Sequence, residues 1–249
     1  MAAKALKMEL LLFYVLNFFK VRYKNMNVFD IIGPVMVGPS SSHTAGAVKI
    51  GKAARKLMGE KIINAQLLLS GSFYATGKGH GTPKALVAGL LGMEPDDERI
   101  PDSFEIAKKE GMKLKFGQVD LHERHSNSVQ LILEGAHGRI LEVIGESIGG
   151  SRINIAEIDG LEANFSGDFP TLVVHNSDRP GHIAKVTSLL SNQGINIAAM
   201  RLYRQGRGQN AVMILECDQE VPKDRIDALE EMDGIEKVTY YSLEEADEL

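Results

Sequence analysis

From Phe169 onward the chain switches between two hydrophobic periods, and that switching leaves few folds open. Leu172 to Val174 reads as a strand, and Pro180 to Gln193 as a helix with Ile183, Val186 and Leu190 on one face. Ile195 to Tyr203 and Ala211 to Glu216 read as two further strands. Lys223 to Met232 is a second helix with Ile226 and Leu229 in register, and Ile235 to Tyr241 a last strand. The order is βαββαβ, a split unit of about seventy residues whose helices cover one face of a sheet. Its sheet edges are left open, so pairing with another copy is the expected way to protect them.

The upstream part mixes strands and helices less regularly. Val28 to Ile32 is a short β-like run ending in Gly33-Pro34. Ala45 to Met58 has helical spacing at Ala47, Ile50, Ala54 and Leu57, and Gly59 closes it. Ala65 to Leu69 is a strand. Thr82 is the expected N-cap of the next helix, with Pro83 at its first position and Lys84 to Leu91 continuing it. Pro95 to Pro101 is an acidic connector. Lys113 to Val119, Val129 to Glu134 and Arg139 to Ile144 are β-rich, and Gly149-Gly150 turns the chain back onto Arg152 to Ile158. The fold class is therefore α+β. Residues 26–159 form one domain, 160–168 a linker with no sustained period, and 169–249 a second domain with its C-terminal tail.

Residues 1–25 stand apart. Their apolar run, Leu10 to Phe19 broken only by Asn17, falls short of the roughly 20 residues that span a bilayer. No small-x-small cleavage site follows it. We read the segment as a peripheral extension, or as a leader upstream of a natural start at Met26, and expect no membrane association.

With a net charge of −5 and no basic stripe, the chain is not expected to grip nucleic acid. Cys217 is the only cysteine among 249 residues, so no intrachain disulfide forms and a cytoplasmic setting fits. Neither a multi-cysteine zinc site nor an iron–sulfur cluster can be ligated by this chain alone, and no metal site is expected in it.

Two phrases carry the chemistry: Gly38-Pro-Ser-Ser-Ser-His-Thr44 and Gly77-Lys-Gly-His-Gly81. Each seats a histidine among small residues in what reads as a tight loop before a helix. Unpaired N–H groups and the dipole at a helix start favour anions, so the pair suggests a pocket for a small carboxylate. A histidine in each suits proton transfer, because its ordinary pKa lies near neutral. His122-Glu-Arg-His125-Ser-Asn127 is a third cluster. Two histidines three apart are part of a metal site at most, and an exposed hairpin explains His122 as well. His137, His175 and His182 have no supporting constellation.

Asn176-Ser-Asp-Arg-Pro-Gly181 followed by Gly194-Ile-Asn-Ile-Ala-Ala199 resembles the ACT domain, an amino-acid-sensing module with the ferredoxin-like βαββαβ fold. The resemblance implies effector binding between paired copies, with Asn176, Asp178 and Asn196 as contacts. Helix capping and loop turning by Asn176 and Asp178 is an equal alternative. Residues 26 to 159 look like the β subunit of the iron–sulfur-dependent L-serine dehydratases. Gly38 to Thr44, Ser72-Phe-Tyr-Ala-Thr-Gly-Lys-Gly-His-Gly-Thr82 and Gly145-Glu-Ser-Ile-Gly-Gly150 carry that likeness. Ser151 stands where a third glycine is expected.

The dehydratase likeness implies a lyase that turns L-serine into pyruvate and ammonia, in amino-acid catabolism and gluconeogenesis. It implies a heteromer in which a partner α subunit supplies the cysteines of a [4Fe–4S] cluster. His80 is then the first choice for the base that takes the α-proton, with Lys78 beside it to pair a carboxylate. Ser40, Ser41, Ser42 and Thr44 are substrate-binding candidates, and His43 either orients their loop or touches substrate. The same likeness makes His125 and Asn127 weaker substrate contacts. The competing reading is a non-catalytic amino-acid-sensing module like the regulatory region of phosphoglycerate dehydrogenases. Such a sensor has no need of a base at His80.

Overall fold

The computed structural model describes residues 35–204 and 206–242. A π-helical turn, Ser41–Gly46, runs straight into α1, Ala47–Met58. Ser40 caps the turn, its Oγ accepting from the His43 N–H at 3.1 Å. Ala47, Val48, Ile50, Ala54 and Leu57 give α1 one buried face. Gly59 ends it in the left-handed region, its N–H on the Arg55 carbonyl.

Strand β1, Ile62–Leu69, follows, and then α2 (Gly71–Ala75), α3 (Gly77–His80), α4 (Thr82–Leu90) and α5 (Ser103–Lys109). These helices form the crossover to β2, Lys113–Gln118, which pairs parallel with β1. Four antiparallel strands complete the sheet: β3 (Ser128–Gly135), β4 (Ile140–Gly149), β5 (Arg152–Ile158) and β6 (Leu161–Phe165). Their order is β2-β1-β3-β4-β5-β6. Alternate residues, such as Val129, Leu131 and Leu133 of β3, pack with α1 and α4 in one core. Helices α1 and α4 cross closely because Gly51 and Gly89 lack side chains there. A Cβ on Gly51 would overlap the Leu86 carbonyl, and one on Gly89 the Val48 carbonyl.

A second sheet comprises β7 (Thr171–Ser177), β8 (Ile197–Arg204), β9 (Asn210–Cys217) and β10 (Ile235–Tyr241), in the order β10-β7-β9-β8. Helices α6 (His182–Ser191) and α7 (Lys223–Glu230) cover one face, burying Leu172, Val174, Met213 and Leu215. This is the expected βαββαβ unit, and the α+β class holds for the whole described chain. The other face is not open. Val173, Val212, Ile214 and Tyr241 belong to the same core as the first sheet. Arg139 and Lys237 bridge the sheets, donating to Thr239 Oγ1 at 3.5 Å and Asp159 Oδ2 at 2.6 Å.

The structure departs from the sequence expectations in three places. Residues 160–168, read as a linker, contain β6, where Ala163 and Phe165 turn inward and are buried. Five residues between turns are too few to show a period. Thr82 is not an N-cap: Gly81 holds that position at φ 73, and Thr82 is the first helical residue, fully buried. Neither histidine phrase is a simple loop, because His43 lies in the π-helical turn and His80 ends α3. The extension 1–25, the run Val28 to Ile32 and the tail after Ser242 lie outside the described residues. Among those described, no helix is long and apolar enough to cross a membrane.

Candidate active site

The π-helical turn and the α2–α3 segment bring the two histidines together. The imidazole centroids of His43 and His80 lie 4.8 Å apart, with the planes inclined by 37°. Phe73 supports His43 from beneath, edge to face at 5.2 Å. His43 Nε2 lies 3.1 Å from Ser72 Oγ and 3.1 Å from Thr76 Oγ1. His80 Nδ1 donates to the Thr76 carbonyl at 3.1 Å. Burial holds the His43 pKa below its ordinary 6.5; the Ser72 backbone opposes this and nearby His80 reinforces it. The neutral form of the His43 imidazole is thereby favoured. Added Cβ atoms at Gly79 and Gly81 would meet nothing, so the space over this turn is open.

The remaining candidates fall into distinct positions. Ser40 spends its hydroxyl on capping, whereas Ser41 and Ser42 are half-buried in the turn itself. Thr44 is buried and donates to the His80 carbonyl at 3.4 Å, so it ties the two histidine segments together rather than lining open space. Lys78 is exposed on α3, two residues before His80. His125 and Asn127 do not touch either histidine. Their loop is clipped between α2 and β4: Ser72 N–H donates to the Ser126 carbonyl at 2.6 Å and Ser147 N–H to the Asn127 carbonyl at 2.9 Å. Glu146, buried on β4, accepts from the His125 N–H at 3.3 Å.

Ser72, Thr76 and Ser147 escaped the sequence reading. The first two lie inside the phrase Ser72 to Thr82, and with His80 they are spaced i, i+4, i+8. Reading that phrase as helix instead of loop would have put all three on one face. Ser147 Oγ is buried without a partner among the described residues and abuts Gly46, where a Cβ would overlap it. Ser151 explains its departure from glycine. Its backbone is left-handed at φ 60, as the expected glycine would be, and its hydroxyl donates to the Ser41 carbonyl at 3.4 Å.

The three effector candidates do not meet within one copy. Asn176 and Asp178 lie at the Ala211 end of β9, and Asn196 lies at its Cys217 end. Six strand steps separate these ends by about 20 Å. Asn176 is buried with Oδ1 unpartnered among the described residues. Asp178 accepts from Arg204 Nη1 at 3.2 Å and the Gly208 N–H at 3.3 Å. Neither side chain caps α6, whose N-cap is Gly181. Asn196 donates to Asp218 Oδ2 at 2.6 Å.

Cys217 sits on β9, buried, with burial pushing its thiol pKa up to about 11 and Asp218 adding to the shift. It offers no thiolate at neutral pH. Among the described residues, no three His, Cys, Asp or Glu side chains gather to hold a metal.

The family described as serine dehydratase beta chain matches residues 27–110, and the ACT domain family matches residues 171–234. A probable L-serine dehydratase beta chain of Bacillus subtilis is 41% identical over 216 residues, covering 87% of this chain and 98% of that one. The L-serine dehydratase beta chain of Peptoniphilus asaccharolyticus is 39% identical, covering 78% of this chain and 87% of its own. A D-3-phosphoglycerate dehydrogenase of Methanocaldococcus jannaschii is 31% identical over 49% of this chain, but over only 23% of that enzyme. The chain belongs to the family of L-serine dehydratase beta chains, with an ACT domain at its C-terminal end.

Proposed function

We propose that this chain forms half of an L-serine dehydratase site, releasing pyruvate and ammonia by β-elimination when a partner chain completes it. One observation carries the proposal: His80 Nδ1 is engaged by the Thr76 carbonyl, so in the neutral ring Nε2 keeps a lone pair that no hydrogen bond takes up among the described residues. A base with a free lone pair is what α-proton removal needs and what a pure sensor does not.

In this mechanism Nε2 of His80 takes the proton from Cα. The C–H electron pair becomes the Cα=Cβ bond, and the Cβ–O bond breaks with its pair leaving on oxygen, which departs as water once protonated. The enamine product shifts its double bond to the imine, and water hydrolyses that to pyruvate and ammonia. Lys78 and the Ser41 and Ser42 hydroxyls bind the substrate carboxylate, and His125 and Asn127 border the site. Activation of the leaving hydroxyl is assigned to the partner. The [4Fe–4S] cluster expected of this enzyme class would be held by the partner's cysteines and would supply Lewis-acid help to that hydroxyl.

The ACT unit pairs through β8, an edge strand that leaves Met200 and Leu202 exposed. Antiparallel pairing of two β8 edges sets the Asn196 end of one copy beside the Asp178 end of the other. An amino-acid effector binds there, held by Asn196 from one copy and by Asn176 and Asp178 from the other.

The test is an anaerobic assay of pyruvate release from L-serine, with this chain alone and with a co-expressed cluster-bearing partner. Turnover only in the pair is expected. Turnover by this chain alone would overturn the shared site. No turnover by an associated, cluster-loaded pair would favour the sensing module.

A further inference from the structure

Thr76 is bonded to both imidazoles, and the chemistry of its two oxygens differs. Its carbonyl can only accept, so the 3.1 Å contact puts the proton of neutral His80 on Nδ1. Its hydroxyl has one proton, which goes to the Ser72 carbonyl at 2.9 Å in a backward i−4 bond from the residue that caps α2. With that proton committed, Thr76 Oγ1 meets His43 Nε2, 3.1 Å away, as an acceptor. With this assignment the His43 hydrogen sits on Nε2, where Ser72 Oγ, also at 3.1 Å, shares it while turning its own proton to Thr76 Oγ1 at 3.3 Å.

We propose that Thr76 is a positioning residue that holds the two histidines in opposite tautomers, leaving His80 alone with a lone pair at Nε2. The division of labour follows. His43 is a fixed donor and a wall of the site, because its Nε2–H is spent on the Ser72–Thr76 pair. His80 is free to accept a proton at Nε2, which has no hydrogen-bond partner among the described residues. The geometry of i, i+4, i+8 makes this compact: Ser72, Thr76 and His80 rise along one face, and His43 enters from the π-helical turn. The consequence for turnover rests on the dehydratase reading, whereas the tautomers themselves do not.

Long-range nitrogen-15 correlation spectra of the full chain near neutral pH read the tautomers directly, with His43→Gln and His80→Gln assigning the two rings. The expected spectrum shows His80 protonated on Nδ1 and His43 on Nε2. In Thr76→Val the His43 pattern should become averaged between its two nitrogens while His80, held by the unchanged carbonyl, keeps its own. Thr76→Ser should restore the wild-type pattern. Both rings protonated on Nε2 in the wild type, or an unaltered His43 in Thr76→Val, would overturn the proposal. Should the valine variant not fold, the wild-type and serine spectra still decide it. In the reconstituted complex, Thr76→Val should lower kcat on the order of tenfold with KM little changed, and Thr76→Ser should recover it. Opposite tautomers without any dehydratase turnover would sink the functional reading and leave this one standing.

Discussion

Gly51 and Gly89 face each other where α1 crosses α4, each against the other helix's backbone. Because α1 grows directly out of the turn that holds His43, this crossing sets the height of the imidazole over α3. Gly51→Ala should force the helices apart at a cost of about 1–3 kcal/mol, the usual range for overpacking. Urea unfolding would read that loss, and a midpoint equal to wild type would mean the crossing tolerates a methyl group.

His80→Gln should leave the chain folded and able to associate while lowering kcat by about 10²- to 10⁴-fold, the contribution of a general base. Steady-state kinetics of the reconstituted complex would show it. Near-normal turnover would remove His80 as the base.

Much of this architecture could be read from the residues. Period and turn signals located every strand of the second sheet, since Val173 and Ile214 alternate cleanly with Leu172 and Leu215. The two histidine phrases were also legible as neighbours of one kind, and the fold sets their rings 4.8 Å apart. What escaped has a common cause. Gly-rich, Ser-rich stretches have low helix propensity, so α2, α3 and the π-helical turn read as loops although tertiary packing makes them helical. Once they are helices, Ser72 and Thr76 become partners of His43. The separation of Asn196 from Asp178 was hidden for another reason: it depends on strand register, which two short motifs within residues 176–199 do not reveal.

Stability should fall on the acid side. Burial lowers the pKa of His43 and of His175, with His80 and Lys237 respectively adding to the shift, while Asp159 and Glu236 oppose it at His175. The unfolded chain, with histidine near 6.5, then binds more protons than the fold as pH drops through that value. As far as these two histidines decide it, unfolding free energy should be level just above 6.5 and decline below it, towards the lowered folded values. His43→Gln should flatten that decline in part. An identical acid limb in the variant would assign the dependence elsewhere.

Mixing two inactive sensors offers a test of the paired ACT arrangement. Asn196→Ala and Asp178→Ala should each abolish the response to an added amino acid. Mixed pairs carry one site with both changes and one with neither, so roughly half the sites should respond. Mixed pairs without any response would place the effector contacts within a single copy.

Cys217 should resist alkylation. A thiol with its pKa near 11 and no exposure should react with iodoacetamide only on unfolding. Mass spectrometry after brief labelling at neutral pH would read this, and rapid labelling of the native chain would mean that β9 opens.

The two sheets share apolar residues, and that bears on how such a chain can be cut and recombined. Excising the C-terminal piece after Asp168 would bare Val173, Val212, Ile214 and Tyr241 to water on the face away from its helices. A domain with a core of its own and a polar outer face could hang from its host as a separable bead. Here the module is mortared into its host, so transplanting it would require repainting that face with polar side chains first.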